Sequence, residues 1–375
     1  MNWSGQTLKS LCDGRSLSIS ALAKQLEVSR QTIHDWINGQ VPRGNHLLAL
    51  CEILGVEPDA LFESSEPFVL VPAHRTRKNA KVNSKRHQQA VDLAAEYEVL
   101  CAEARVPIMQ PVVRSAGYDD VEPLAKCFRG LVGLADSPDP MDDDHVFKLM
   151  EVLGICVIFR TFPKDLPDYA FYVRIRGHRV VFVNLQNNVL DLIFPIIHEA
   201  VHAVRDEETP AGEYDEKEES FCDAVANAVQ FPSEYVAKIS QNLKGLPAGY
   251  QVNLLKTEAA LHHHAICGLV KCIEKDMPLD LNIHGADSNL HKQFPTLQQV
   301  LDRDGGSPEH YLARLKLLSP LFYRALQENI SSLSERKLTE LLELPSVFDA
   351  QRVRELLERE GGVVACTSSA TPAAS

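Results

Sequence analysis

A chain of 375 residues, 45% apolar and 24% charged with a net charge of −13, has the makeup of a folded protein of more than one domain. No run approaches the roughly 18 to 20 uncharged apolar residues of a membrane span, and the N-terminus lacks the apolar core of a signal peptide, so a cytoplasmic protein with no membrane partner is expected. Nine scattered cysteines, odd in number and without paired spacing, argue against a disulfide framework.

The charge is unevenly spread. Residues 1–86 carry 11 Lys/Arg against 8 Asp/Glu, whereas the remainder carries 27 against 43, so any nucleic-acid contact belongs to the N-terminal part. There, apolar residues recur at helical spacing: Leu8 and Leu11; Leu22, Ala23 and Leu26; Ile33, Trp36 and Ile37; Leu47, Leu50 and Leu54. About five short helices are predicted between residues 5 and 62, with Ser18 or Ser20 capping the second, Ser29 the third, and Gly39 and Gly55 standing where helices stop.

The stretch SISALAKQLEVSRQTIHDWINGQVPRGNHLLALCEILGVEPDALF reads as helix, tight turn, helix and supporting helices. It resembles the Xre or Cro-like helix-turn-helix domain of phage repressors in Leu22-Ala23, Val28, Ile33, Trp36 and the closing Asn38-Gly39, with Glu27 standing where the turn usually has Gly. The resemblance implies double-stranded DNA as a partner and a homodimer. It nominates Ser29, Arg30, Gln31, Thr32, His34 and Asp35 for contact with base edges, Arg30 suiting guanine and Gln31 adenine. Residues 1–61 carry only five Lys/Arg against six Asp/Glu, so phosphate contacts would have to come from the tract Arg75, Arg77, Lys78, Lys81, Lys85 and Arg86. A solvated linker is the alternative for that tract, and protein contact for the helical module.

The domain boundaries predicted are residues 1–65 for this module and 66–118 for a basic linker and polar helix, broken by Pro107, Pro111 and Gly117. Residues 119–238 form a mixed domain, giving an α+β protein overall. A helix over 142–153 follows the acidic cap and stops at Gly154; then GICVIFRTF, YAFYVRI and RVVFVNL read as strands. Next comes a helix over about 195–206, with Pro195 in its first turn, and after a loop of small and acidic residues a second helix over 216–230, ended by Pro232. Residues 239–362 read as helical and 363–375 as a disordered tail.

The first of those two helices carries HEAVH. Positions i and i+4 share a helix face, so His198 and His202 can direct imidazoles at one ion, with Glu199 beside it to take a proton from water that zinc has made acidic. A third ligand is required. The continuation HExxHxxGxxH is absent, because Arg205 and Glu208 occupy its Gly and His positions. A carboxylate on the second helix is the alternative. Glu219 pairs at i+4 with Asp223 among apolar residues and is preferred over its rival Glu218; Asp223 would hold the far nitrogen of one histidine.

Residues 120–235 resemble the ImmA/IrrE family of cytosolic bacterial zinc metalloproteases, relatives of the gluzincins. The resemblance rests on VVFVN (180–184), HEAVH (198–202), ESFCD (219–223) and QFPSEY (230–235). It implies His198, His202 and Glu219 as zinc ligands, Glu199 as general base, and a repressor-like protein substrate in stress response or mobile-element control. DLIFPII and Val201 depart from the family pattern without removing a ligand. Tyr214 and His262 to His264 are candidates to stabilise an oxyanion, and RVVFVNL is the expected edge strand for an extended substrate. The competing expectation is a non-catalytic regulator or antitoxin-like factor that uses the same fold as a sensor.

Overall fold

A computed structural model describes residues 2–3, 5–15, 17–56, 61–63, 69–70, 84–101, 117–205, 216–279, 281–301 and 306–367. Contacts divide the chain into two units, Met1–Phe68 and Val69–Ser375.

In the first unit, β1 (Asn2–Trp3) precedes α1 (Gly5–Gly14), α2 (Ile19–Gln25), α3 (Arg30–Ile37) and α4 (Gly44–Leu54), and pairs antiparallel with β2 (Phe62–Glu63). Local chemistry sets the helix ends. The Ser18 hydroxyl accepts from Ala21 N–H to cap α2, Ser29 accepts from Thr32 N–H to cap α3, and Gly55 in the left-handed region ends α4. The apolar faces read from the sequence meet in one core of Leu8, Leu22, Ala23, Ile33, Trp36, Leu50 and Leu54. Four α-helices are described where about five are predicted; residues 57–60 lie outside the described residues.

The second unit runs β3 (Val69–Leu70), α5 (Ser84–Ala95), α6 (Val121–Leu131), α7 (Asp143–Val152), β4 (Cys156–Arg160), β5 (Ala170–Ile175), β6 (His178–Asn184), α8 (Ile193–Arg205) and α9 (Glu216–Gln230). Nine further helices follow: α10 (Ser233–Leu243), α11 (Ala248–Leu261), α12 (Ile266–Ile273), α13 (His284–His291), α14 (Leu297–Val300), α15 (Pro308–Leu318), α16 (Pro320–Asn329), α17 (Glu335–Leu342) and α18 (Val347–Thr367). The strands form one mixed sheet in the order β3-β5-β6-β4, with β4 parallel to β6 and the other pairs antiparallel. Its middle is buried on both faces, as the unbroken apolar runs VVFV and AFYV require. A two-residue turn, Arg176-Gly177, joins β5 to β6 with both residues at positive φ (48° and 84°), the mirror-image turn that suits a tight hairpin.

The edge strand is a correction. RVVFVNL forms β6, bonded on one side to β5 and on the other to β4, so its backbone cannot accept a further strand. Among the described residues β3 pairs with Arg174 and Ile175 of β5. The second correction concerns the tail: α18 continues to Thr367, because extending a formed helix adds a bond per residue without a new nucleus. Residues 368–375 lie outside the described residues, as do 206–215 with Tyr214, and Arg75, Arg77, Lys78 and Lys81.

One large core contains the sheet, α8, α9 and side chains of α15 to α18 such as Tyr311, Phe322, Leu338 and Val353. A second, smaller core joins Leu190 and Phe231 to α10, α11, α12 and α13. No helix among the described residues is long and apolar enough to cross a membrane.

The turn between α2 and α3 carries Glu27 at φ 54°, a left-handed conformation that costs a side-chain-bearing residue about 1–2 kcal/mol. Glu27→Gly is therefore expected to leave the N-terminal unit as stable or slightly more stable, while the β-branched Glu27→Val lowers its stability by about 1–2 kcal/mol. Chemical denaturation followed by the fluorescence of Trp3 and Trp36 checks the order; equal midpoints for the two variants would contradict it.

Candidate metal centre and nucleic-acid interface

Eleven of the thirteen residues of α8 are buried, so its polar groups see little solvent and need partners close by. Pro195 sits in the first turn, where its missing N–H breaks no intrahelical bond. One turn on, His198 and His202 point the same way, their Nε2 atoms 3.1 Å apart. Helix α9 crosses opposite and brings Glu219 to both: Oε2 lies 3.4 Å from His198 Nε2, and Oε1 lies 3.3 Å from His202 Nε2. These three residues form a group able to hold a metal ion.

The spacing suits a small tetrahedral ion, whose ligand atoms at about 2.0–2.1 Å from the centre stand about 3.3 Å from one another. Glu219 Oε2 is buried, and its 3.4 Å contact with the His198 ring is long for a hydrogen bond. Burial pulls the His198 imidazole down, yet hydrogen bonds to Asp223 and Glu219 and the charge of Glu199 outweigh it and hold His198 above its ordinary range. Burial likewise raises Glu219, and its two histidine neighbours more than reverse this, holding it below the usual carboxylate range. Carboxylates thus face His198 from three residues, Glu199, Glu219 and Asp223, surroundings that favour positive charge at this place.

Behind this group, Asp223 Oδ1 lies 3.1 Å from His198 Nδ1, and Cys222 Sγ lies 3.6 Å from His202 Nδ1. Glu199 accepts a 2.8 Å hydrogen bond from the Tyr172 backbone N–H of β5, which ties the carboxylate to the strand's outer side. Glu218, the rival of Glu219, faces elsewhere: its two oxygens take Arg205 Nε at 2.7 Å and an Arg205 terminal nitrogen at 2.9 Å. His202, Glu218 and Cys222 form a second group of metal-ligand type. It suits an ion less well, because Glu218 is committed to Arg205 and burial, with neighbouring carboxylates, holds the Cys222 thiol far above its ordinary range.

A cleft of about 270 Å³ opens against His198 and Glu199. Tyr169 and Ala170 of the β5 side, Leu190, Phe194 and Phe231 line it, with Gly268 and Lys271 of α12. Of the candidate oxyanion donors, the described His262, His263 and His264 are not among its lining residues. His262 packs on Tyr235, His263 lies 3.2 Å from Asp143, and His264 is buried edge-on against Phe231. Cys267 and Cys272 donate to Asp287 and Asn227 and join no metal-ligand group among the described residues.

In the first unit, Ile33 and Trp36 turn α3 toward the core and leave its other face polar. Ser29, Arg30, Gln31 and His34 are exposed, and Thr32 and Asp35 half-buried. Ser29 is occupied by capping, its hydroxyl 2.9 Å from Thr32 Oγ1, and Gln31 donates to Asp35 at 2.9 Å. Arg30 carries the one full positive charge of the six nominated residues. In the basic tract, Lys85 pairs with Asp165 at 2.6 Å.

Sequence reasoning missed Cys222, Tyr172 and the Arg205–Glu218 pair. The i+4 spacing of Cys222 from Glu218 was a visible signal; a backbone donor on a neighbouring strand leaves none. Removing one partner of a buried bidentate ion pair strands the other charge, so Glu218→Gln is expected to destabilise the second unit by about 3 kcal/mol while leaving metal uptake at His198, His202 and Glu219 intact. Thermal unfolding with and without added zinc measures both; loss of metal uptake with unchanged stability would reverse the assignment of Glu218 and Glu219.

Comparison with known proteins bears on the first unit. No curated protein matches the chain significantly. The crystal structure of ComR from Streptococcus suis aligns with 96% of this chain and 96% of its own at 10% identity, with a TM-score of 0.16, too low to bear on the fold. Residues 7–66 match the model of a family of DNA-binding modules, and this segment is a Cro/C1-type helix-turn-helix DNA-binding domain.

Proposed function

We propose that this protein is a cytoplasmic DNA-binding regulator whose second unit is a zinc-dependent endopeptidase acting on a protein substrate. One observation carries the reading: His198, His202 and Glu219 converge at 3.1–3.4 Å beside Glu199, at the wall of a cleft. A purely structural zinc site is closed by four protein ligands and has no use for a flanking carboxylate on an open cleft.

His198, His202 and Glu219 would hold the ion, and Asp223 would fix the ring of His198 through Nδ1. The ion would supply Lewis acidity, which brings the pKa of water toward about 7. Glu199, held in orientation by Tyr172 N–H, would take the proton from the attacking water and deliver it to the departing amine. Tyr169 and Ala170 at the start of β5 line the cleft in which the substrate would lie. Resemblance of the HEAVH and ESFCD segments to ImmA/IrrE proteases supports a repressor-type substrate, in stress response or mobile-element control.

Elemental analysis of protein purified without chelators tests the centre. About one zinc per chain is expected in the wild type and in Glu199→Gln, and a sharp fall in Glu219→Gln. Glu199→Gln should lose peptide hydrolysis by at least about a hundredfold while keeping its zinc. Wild-type protein with little zinc would sink the peptidase and leave a non-catalytic regulator.

For the DNA-binding domain, Arg30→Ala is expected to weaken binding to a selected duplex by about 1–3 kcal/mol and to narrow the gap to random DNA. Fluorescence anisotropy at two salt concentrations checks this; an unchanged specificity ratio would remove Arg30 from base recognition.

A further inference from the structure

The cleft beside Glu199 has an uneven electrical lining. Leu190, Phe194 and Phe231 make an apolar wall. Among the lining residues Asp191 and Lys271 carry the charges outside the candidate metal centre, and their situations differ. Asp191 is answered by His291, whose Nε2 lies 3.1 Å from its carboxylate. That hydrogen bond holds His291 raised to about 9, so the imidazole is charged at neutral pH and the Asp191 carboxylate is compensated within the protein.

Lys271 has no such partner. Among the described residues it is the only lysine or arginine lining the cleft and makes no ion pair, and it is exposed. Its position is built by α12: Gly268 and Lys271 lie one turn apart on the face turned to the cleft. Gly268 leaves that face open, since a Cβ there would stand 3.6 Å from the Phe231 ring and a longer side chain would fill the space between them. Apolar wall, open floor and an uncompensated ammonium are therefore neighbours in one cleft.

We infer that this cleft selects peptides that place an apolar side chain against Phe194 and Phe231 and a carboxylate within reach of Lys271. This rests on the endopeptidase reading, and deepens it by naming the substrate class as acidic-apolar segments. The carboxylate is an Asp or Glu side chain or the free end of a peptide. Opposite charge at a partly solvated rim contributes modestly to affinity and more to selection, because a basic group at the same place is actively repelled.

The test uses the zinc-loaded full chain and N-acetylated, C-amidated peptides with Leu or Phe at the centre and Asp, Asn or Lys stepped through the flanking positions. Neutral peptides with a free C-terminus form a separate arm. At one or more positions the wild type is expected to prefer Asp over Asn by about fivefold in kcat/KM, with the preference fading in high salt. Lys271→Glu should invert it toward Lys. A preference confined to the free C-terminus would place the carboxylate at the chain end and still support the role of Lys271. Unchanged ratios in Lys271→Glu would overturn it. Binding of the same peptides to Glu199→Gln, read by anisotropy, keeps the two readings apart. Acid-dependent binding that Lys271→Glu abolishes, without turnover in the wild type, upholds the acidic selection and rejects the peptidase. Turnover without charge preference does the reverse, and absence of both rejects both.

Discussion

Two imidazoles and several carboxylates meet at a largely buried helix interface, in an arrangement that could hold a metal ion. His198 and His202 on α8 face Glu219 on α9, with Glu199 and Asp223 close by, and His198, Glu199, His202 and Glu219 are all buried. Desolvation makes each uncompensated charge cost several kcal/mol, so the arrangement persists only if opposite charges and hydrogen bonds are supplied on the spot. The surroundings are organised by that demand. Asp223 and Cys222 stand behind the two rings, Tyr172 N–H holds Glu199, and Arg205 takes both oxygens of Glu218 and so keeps a competing carboxylate away from the imidazoles.

The apolar framework serves the same end. A sheet buried on both faces gives α8 a stiff floor, and the two helices present their ligands from backbones that packing holds still. Helices α10 to α13 fold into a second core around Leu190 and Phe231, both of which also line the cleft. One wall of the cleft thus belongs to each core. A chain segment that reads as a plain helical extension supplies Lys271 and Gly268 to the same cavity as Glu199.

Some of this was legible in the primary structure because its cause is local. Helix periodicity gave the four described helices of the first unit, and the Ser18 and Ser29 caps follow from hydroxyls placed just before an apolar run. The ends of α9 and the three main strands fall close to where Pro232, Gly154 and the β-branched runs put them. The i, i+4 spacing of His198 and His202 put two rings on one face without any knowledge of the fold. Other features were not legible because their cause is distant. Whether β5 or β6 lies at the edge depends on which strand β4 joins, and no residue of β6 differs in kind from those of a true edge strand. The i+4 pairing of Glu219 with Asp223 favours it over Glu218 in the sequence alone, but the pairing of Glu218 with Arg205 depends on the direction in which α9 rolls against α8.

The sequence by itself determined what short-range physics controls: helix and strand limits, the Cro/C1-type module with its exposed Arg30, and a repertoire of metal-ligand side chains at helical spacing. Tertiary structure alone decided which members of that repertoire meet. Across the loop that separates α8 from α9, chain connectivity imposes little restraint on relative orientation. Close packing against the sheet imposes almost all of it, because interdigitated side chains admit few crossing geometries and a one-residue roll would exchange Glu219 for Glu218.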